Sequence, residues 1–211
     1  MGGSLRYRGL RDIPAGRFYW QEQRRPMVQE QALERPATLC HISEEFGIQR
    51  FDPRPHPVTG EPAVWAIESA KLRNYLLPRD CPRVTFEAAP ETAAADAARF
   101  LNGSPAVVAV ESVWWERIRT CRLCCYHLPP ATFRCIDDCA GYYISRVYVH
   151  PLRSETIADP VGELLRRGVE LRVVPNLWPL RDAVVGSTLR YSIIRMRNAT
   201  TAPLPDAADR V

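Results

Sequence analysis

Lysine is almost missing from this chain: Lys71 is the only one among 28 basic residues, so nearly every positive charge is a planar guanidinium. Arginine suits bidentate contacts to anions, although a GC-rich coding sequence produces the same bias. Long apolar runs are missing as well. No stretch reaches the ~18 apolar residues of a membrane-spanning helix, and the first 36 residues lack the apolar core of about 7–15 residues that a secretory signal carries. The net charge of +4 falls far short of the dense basic face of a nucleic-acid binder. Also absent are a phosphate-binding G-x-x-x-x-G-K-[ST] loop, the dinucleotide G-x-G-x-x-G, the metalloprotease H-E-x-x-H and the hydrolase G-x-S-x-G. Seven cysteines, an odd number without a framework, fit a reducing compartment. These absences lead to the expectation of a cytoplasmic protein with no membrane partner and no strong nucleic-acid signal.

What is present divides the chain into three. Residues 1–36 hold seven Arg against four acids and are broken by Gly9, Pro14, Gly16 and Pro26, which marks an Arg-rich appendage. Residues 37–199 alternate short apolar runs with Pro and Gly and read as one domain. Residues 200–211, rich in Pro and Ala, read as a frayed tail.

Within the domain, "TLCHIS", "AVWAIES", "PRVTFEA", "AVVAVES", "CRLCCYHL", "YYISRVYVHPL", "VELRVVP" and "YSIIRMRN" are expected strands. Helices are expected at "SAKLRNYLL" with Ser69 as cap, within residues 88–105, at "PVGELLRRG" ending at Gly168, and at "WPLRDAVVGS". Ser43 followed by Glu44 and Glu45 predicts one helical turn closed by Gly47. Val64–Ser69 and Val107–Ser112 share one strand-to-helix wording, which is common punctuation and too little for a repeat. Many strands with short, irregularly interposed helices predict an α+β domain whose sheet is mostly antiparallel or mixed.

Cys121, Cys124, Cys135 and Cys139 give C-x2-C followed by C-x3-C, close to zinc-ligand spacing. Yet "TCRLCCYHL" has no Gly, Asn or Asp to make the tight turn that such ligands need. As a strand, it alternates faces. Cys121, Leu123, Cys125 and His127 share one side, and Arg122, Cys124, Tyr126 and Leu128 the other. Cys121 and Cys124 then cannot meet on one ion, and no metal is expected, with His127 and His150 as the reserve ligands.

The residues left to carry chemistry sit at strand ends. His41 and Ser43 close "LCHIS". In "NYLLPRDCPR", two prolines bracket Arg79, Asp80 and Cys81 and limit the entropy lost on binding. The alternative there is a plain Arg–Asp pair that stabilises the turn, and Cys81 between charges is a further candidate nucleophile. Arg181, Arg195 and Arg197 of "LWPLRD" and "IIRMRN" are available for phosphate.

From "TLCHISEEFGIQRFDPRP" through "VWAIE", "NYLLPRDCPRVTF", "GYYIS", "LWPLRD" and "SIIRMRN", the chain resembles a family of uncharacterised, mainly bacterial domains of unknown function. The opening strand with its His and small hydroxyl residue, then a strand leading into a helix that carries an aromatic, also resembles the ADP-ribosyltransferase fold. That second resemblance implies NAD or a related phosphorylated nucleotide as ligand and an N-glycosidic bond as the target. It gives His41 and Ser43 to the ribose and carboxamide and Tyr75 to the nicotinamide, with His41 and Tyr75 the catalytic pair and Arg79 and Asp80 as further ligand contacts. The late-strand Glu of such enzymes has no counterpart in "YYISRVYVHP", which leaves a non-catalytic binding or interaction module as the alternative.

Overall fold

The computed structural model describes residues 38–55, 60–137 and 141–202; the expected N-terminal appendage and residues 203–211 of the tail lie outside them. The architecture is α+β, as the mixture of short strands and short helices predicts. One sheet contains β1 (Leu39–Ser43), β2 (Arg54–Pro55), β3 (Pro62–Glu68), β6 (Leu123–Leu128), β7 (Arg134–Asp137), β8 (Tyr142–Ser145) and β9 (Arg153–Ile157). Its order is β7-β8-β3-β1-β6-β9, with β2 on β3, and every pairing is antiparallel. The second sheet contains β4 (Arg83–Glu87), β5 (Ala106–Glu111), β10 (Val169–Val174) and β11 (Arg190–Ile194) in the order β10-β5-β4-β11. Only β10 and β5 run parallel. Among the described residues no helix is long and apolar enough to cross a membrane.

Side-chain alternation divides the interior into three layers. Cys40, Ile67 and Cys125 from the first sheet meet Ala106, Val108, Val110 and Val169 from the second in a shared core, closed by Leu72, Leu76, Leu77, Ile118 and Leu164. Leu39, Val64, Ala66, Cys124, Tyr126 and Leu128 face the other way, onto Phe51, Phe133 and Val149. Val84, Phe86, Val107 and Ala109 pack beneath α1 (Ala94–Leu101) and α4 (Trp178–Val185). All six residues of β5 are buried, as its continuous apolar run requires for a strand covered on both faces. Two further helices, α2 (Trp115–Thr120) and α3 (Pro160–Arg166), complete the fold. Asp159 caps α3 by accepting from the Gly162 amide at 2.8 Å, with Pro160 in the first turn.

Several local expectations give way to tertiary contacts. The helical turn at Ser43–Gly47 does not form. Ser43 Oγ accepts from the Glu45 amide at 3.0 Å, but the Tyr126 hydroxyl donates to the Glu45 carbonyl at 2.9 Å and accepts from the Ile48 amide at 3.0 Å, holding the segment as an irregular loop. Ser69 does not cap; it begins a 3-10 helix, Ser69–Tyr75, that follows Glu68. Ser112 begins another, Ser112–Trp114, so the shared wording marks the same junction twice. The "YYISRVYVHPL" strand stops at Ser145, and β7 and β9 form where no strand was expected. At the C-terminal end, Thr200 and Thr201 are tied down rather than frayed. Thr200 donates to Glu111 through both its amide and its hydroxyl, and the Thr201 carbonyl accepts from Asn176.

Candidate functional site

Two segments far apart in sequence close on each other at one end of the second sheet. Pro78 and Pro82 fix a turn in which the Cys81 amide donates to the Pro78 carbonyl at 3.0 Å, and Arg83 Nη1 reaches the same carbonyl at 3.2 Å. On the neighbouring strand, β11 ends at Ile194. Arg195 then takes the left-handed conformation (φ 59°), which costs a residue with a Cβ on the order of 1–2 kcal/mol. The contacts it gains are with the turn: its Nε donates to the Arg79 carbonyl at 3.4 Å, and Asn198 Nδ2 donates to the Asp80 carbonyl at 2.7 Å. From the β1 side, Glu44 accepts from the Arg79 amide at 2.7 Å with one oxygen and from Arg117 at 3.0 Å with the other.

The result is an arginine rim made of Arg79, Arg117, Arg195 and Arg197, with Glu44 and Asp80 as the interspersed acids. Beside it lies an open groove of ≈ 500 Å³ lined by Val113, Trp114, Arg117, Asn198, Ala199 and Thr200. Beneath it lies Arg83, only 2% exposed. Its guanidinium rests 5.9 Å from the Tyr75 ring centroid. Among the described residues its Nε has no hydrogen-bond partner and no carboxylate pairs with it. Burial pushes its pKa down, yet a guanidinium does not give up its proton in a protein, so a fixed positive charge underlies the rim. Tyr75 is held neutral by burial and by its contact with Tyr142, which push its pKa well above the usual phenol range. Cys81 is not an activated nucleophile. Burial pushes its thiol up to about 12, outweighing the neighbouring Arg83.

Of the residues singled out in the sequence, Tyr75, Arg79 and Asp80 come together here; Ser43 precedes Glu44 and accepts from the Glu45 amide, and His41 points to the other layer. Cys40 and Ile42 pack into the core between the sheets, where Tyr75 also lies. His41, one residue out of phase, projects from the opposite face. Its ring packs against Phe51 in a tilted arrangement with centroids 4.8 Å apart, and Phe51 in turn meets Tyr126. Its Nδ1–H donates to the Trp65 carbonyl at 2.8 Å. Burial lowers the His41 pKa against that hydrogen bond, with the charges of Arg79 and Arg54 adding to the effect. The expectation that His41 and Tyr75 flank one cleft is therefore corrected by strand alternation. Arg181 stacks on Trp178 and pairs with Asp182, so its charge is engaged away from the rim. Glu44, Arg117 and Asn198 went unrecognised as site residues, since only tertiary pairing brings them to the turn.

A second polar cluster lies on the shared-core face of β6. The register pairs Cys125 with Glu155 of β9, and His127 follows Cys125 on the same face. His127 Nε2 lies 3.1 Å from Glu155 Oε1 and 3.8 Å from Cys125 Sγ. One ligand atom from each of the three lies within 4.8 Å of the others. Cys40 of β1 is paired across from His127 and packs in the same core cluster as Cys125. Cys121 and Cys124 are outside this cluster. Cys124 faces the opposite layer, and Cys121 Sγ donates to the Ile118 carbonyl at 3.2 Å. Cys139 falls outside the described residues.

The family model of DUF6886, a family of unknown function, matches residues 40–199, and the chain belongs to that family. No curated protein and no solved structure matches it.

Proposed function

We propose that this member of a family of unknown function is a binding module for a phosphorylated small molecule of the nucleotide class, held at the arginine rim above Arg83. The supporting observation is the buried guanidinium of Arg83, which has no carboxylate among the described residues to neutralise it. A buried charge left without a counter-ion is costly, and an anion at the rim would offset that cost. Arg79, Arg195 and Arg197 provide the donors, and their planar forks match phosphate oxygens. The Trp114 indole in the adjoining groove offers a stacking surface for a base or nicotinamide ring.

ADP-ribosyl transfer is the second version of this reading. It is favoured by the position of Tyr75 on the same side as Arg79, where a nicotinamide ring could meet the aromatic pair Tyr75–Tyr142, whose centroids are 6.2 Å apart. In that version His41 stabilises the opening strand and takes no part at the ring.

Titration calorimetry with inorganic pyrophosphate, ADP-ribose and NAD tests the proposal. Binding is expected for at least one of them, weakened about tenfold by Arg79→Ala or Arg195→Ala, since a hydrogen bond to a charged group contributes on the order of 1.5–3 kcal/mol. No heat with any of the three at millimolar concentration would reject it. Release of nicotinamide from NAD, lost in Tyr75→Ala, would select the enzymatic version.

A further inference from the structure

Cys121 lies before β6, at the C-terminal cap of α2, while alternation along β6 puts Cys125 and His127 on one face and the register places beside them Cys40 of β1 and Glu155 of β9. We infer that Cys125, His127 and Glu155 form a binding site for a zinc-class divalent cation on the shared-core face of the first sheet, beside Cys40, which is paired across from His127 on β1. One sulfur, one imidazole nitrogen and one carboxylate oxygen are a donor set that suits a borderline-soft, tetrahedral ion with water in the fourth position. At zinc–ligand bond lengths, neighbouring atoms of a tetrahedron stand roughly 3.3–3.6 Å apart. The observed separations, 3.8 Å from sulfur to Nε2 and 3.1 Å from Nε2 to the carboxylate, bracket that range. Small side-chain movements suffice.

The two sides of the cluster differ in access. Cys125 is wholly buried and Cys40 2% exposed, whereas the Glu155 side chain is 51% exposed on the edge strand β9. An ion would enter past Glu155 and lose most of its water to ligands already fixed by the sheet. Its binding would release the Cys125 thiol proton.

Arg153 acts against the ion, and that makes the site testable. Its Nη1 donates to Glu155 Oε2 at 3.0 Å, leaving Oε1 directed at the imidazole. Its Nη2 approaches His127 Nδ1 at 3.4 Å. A guanidinium only donates, so this contact requires Nδ1 to be the acceptor and Nε2 to carry the proton. A metal at Nε2 requires the other tautomer, with the proton on Nδ1 facing Arg153. The Arg153 side chain, 60% exposed, would have to swing into solvent. Removing it should therefore strengthen binding.

Cobalt(II), whose tetrahedral thiolate complexes absorb visibly, is the probe, titrated into the reduced full-length protein with zinc as competitor. One equivalent is expected to develop thiolate-to-cobalt charge-transfer and tetrahedral ligand-field bands, which zinc then abolishes. Glu155→Ala, on an exposed edge strand where folding is not at stake, should weaken affinity about tenfold or more. Arg153→Ala should strengthen it, and Cys125→Ser should remove the charge-transfer band, with circular dichroism confirming its fold. Absence of the bands in wild type overturns the site. So does unchanged affinity in Glu155→Ala, weaker binding in Arg153→Ala, or a band that survives in folded Cys125→Ser. If Cys125→Ser does not fold, the other two variants decide.

Discussion

Asn198 donates a side-chain hydrogen bond of 2.7 Å to the main-chain carbonyl of Asp80, 118 residues earlier in the chain. Together with the Arg195 contact to Arg79, it fixes the proline-bracketed turn against the end of β11. Asn198→Ala should cost about 1 kcal/mol, the usual net worth of one hydrogen bond, and lower Tm by roughly 2–4 °C in a chain of this size. The sharper readout is local. Amide exchange at Asp80 and Cys81 should accelerate while β5 keeps its protection, and pyrophosphate binding should weaken along with it.

Glu111 is a wholly buried carboxylate that closes β5 against two later segments. Oε1 accepts from the Leu177 amide at 3.1 Å, and Oε2 from the Thr200 amide and hydroxyl at 2.9 and 3.0 Å. Glu111→Ala would leave these donors without an acceptor and should cost about 3 kcal/mol. The expected fall in Tm is roughly 6–12 °C. Limited proteolysis should then cut after Val174, because both the start of α4 and the 198–201 segment lose their anchor.

Cys81 is buried and its thiol is raised to about 12, so thiolate is scarce at neutral pH and nucleophilic chemistry is closed to it. Native-state alkylation with iodoacetamide at pH 7.5, followed by peptide mass mapping, should leave Cys81 unmodified for hours. Modification in the denatured protein should be complete. Rapid native labelling would show that the turn opens or that the thiol is activated.

How much of this was legible in the sequence depends on where each signal resides. β5 and β6 announce themselves by apolar composition, and α3 by Asp159 and Pro160, because those signals are local. β9 does not. "RSETI" is polar, and four of its five residues are exposed, as an edge strand permits; nothing within it marks its pairing with β6. The irregular loop at residues 44–48 escapes a local reading for a related reason, since the Tyr126 hydroxyl that holds it lies 78 residues away from Ile48. Alternation within "CRLCCYHL" was readable and placed Cys125 beside His127. Their partners Cys40 and Glu155 were invisible until the register of β1, β6 and β9 was known.

His41 offers a test of the opposite-face placement through pH. Its pKa is lowered from 6.5, first by burial, with the Trp65 hydrogen bond opposing that effect. The unfolded chain therefore takes up a proton at this residue before the folded protein does. Between the unfolded value near 6.5 and the depressed folded value, the unfolded state binds more protons, so stability falls as pH falls. Above pH 6.5 the imidazole is neutral in both states and adds no slope. The carboxylates held low by their partners, Glu155 and Glu170 among them, lose their contribution only nearer the ordinary carboxylate range. The interval from pH 6.5 to 5 thus lies above those carboxylates, and a variant at His41 separates its contribution from that of the other three histidines. His41→Asn keeps a donor for the Trp65 carbonyl but removes the titrating ring. Urea unfolding at pH 7.5, 6.0 and 5.0 should show wild type losing stability faster than His41→Asn across that interval, with parallel behaviour above it. Identical slopes would mean that the ring is open to water, contrary to its packing against Phe51.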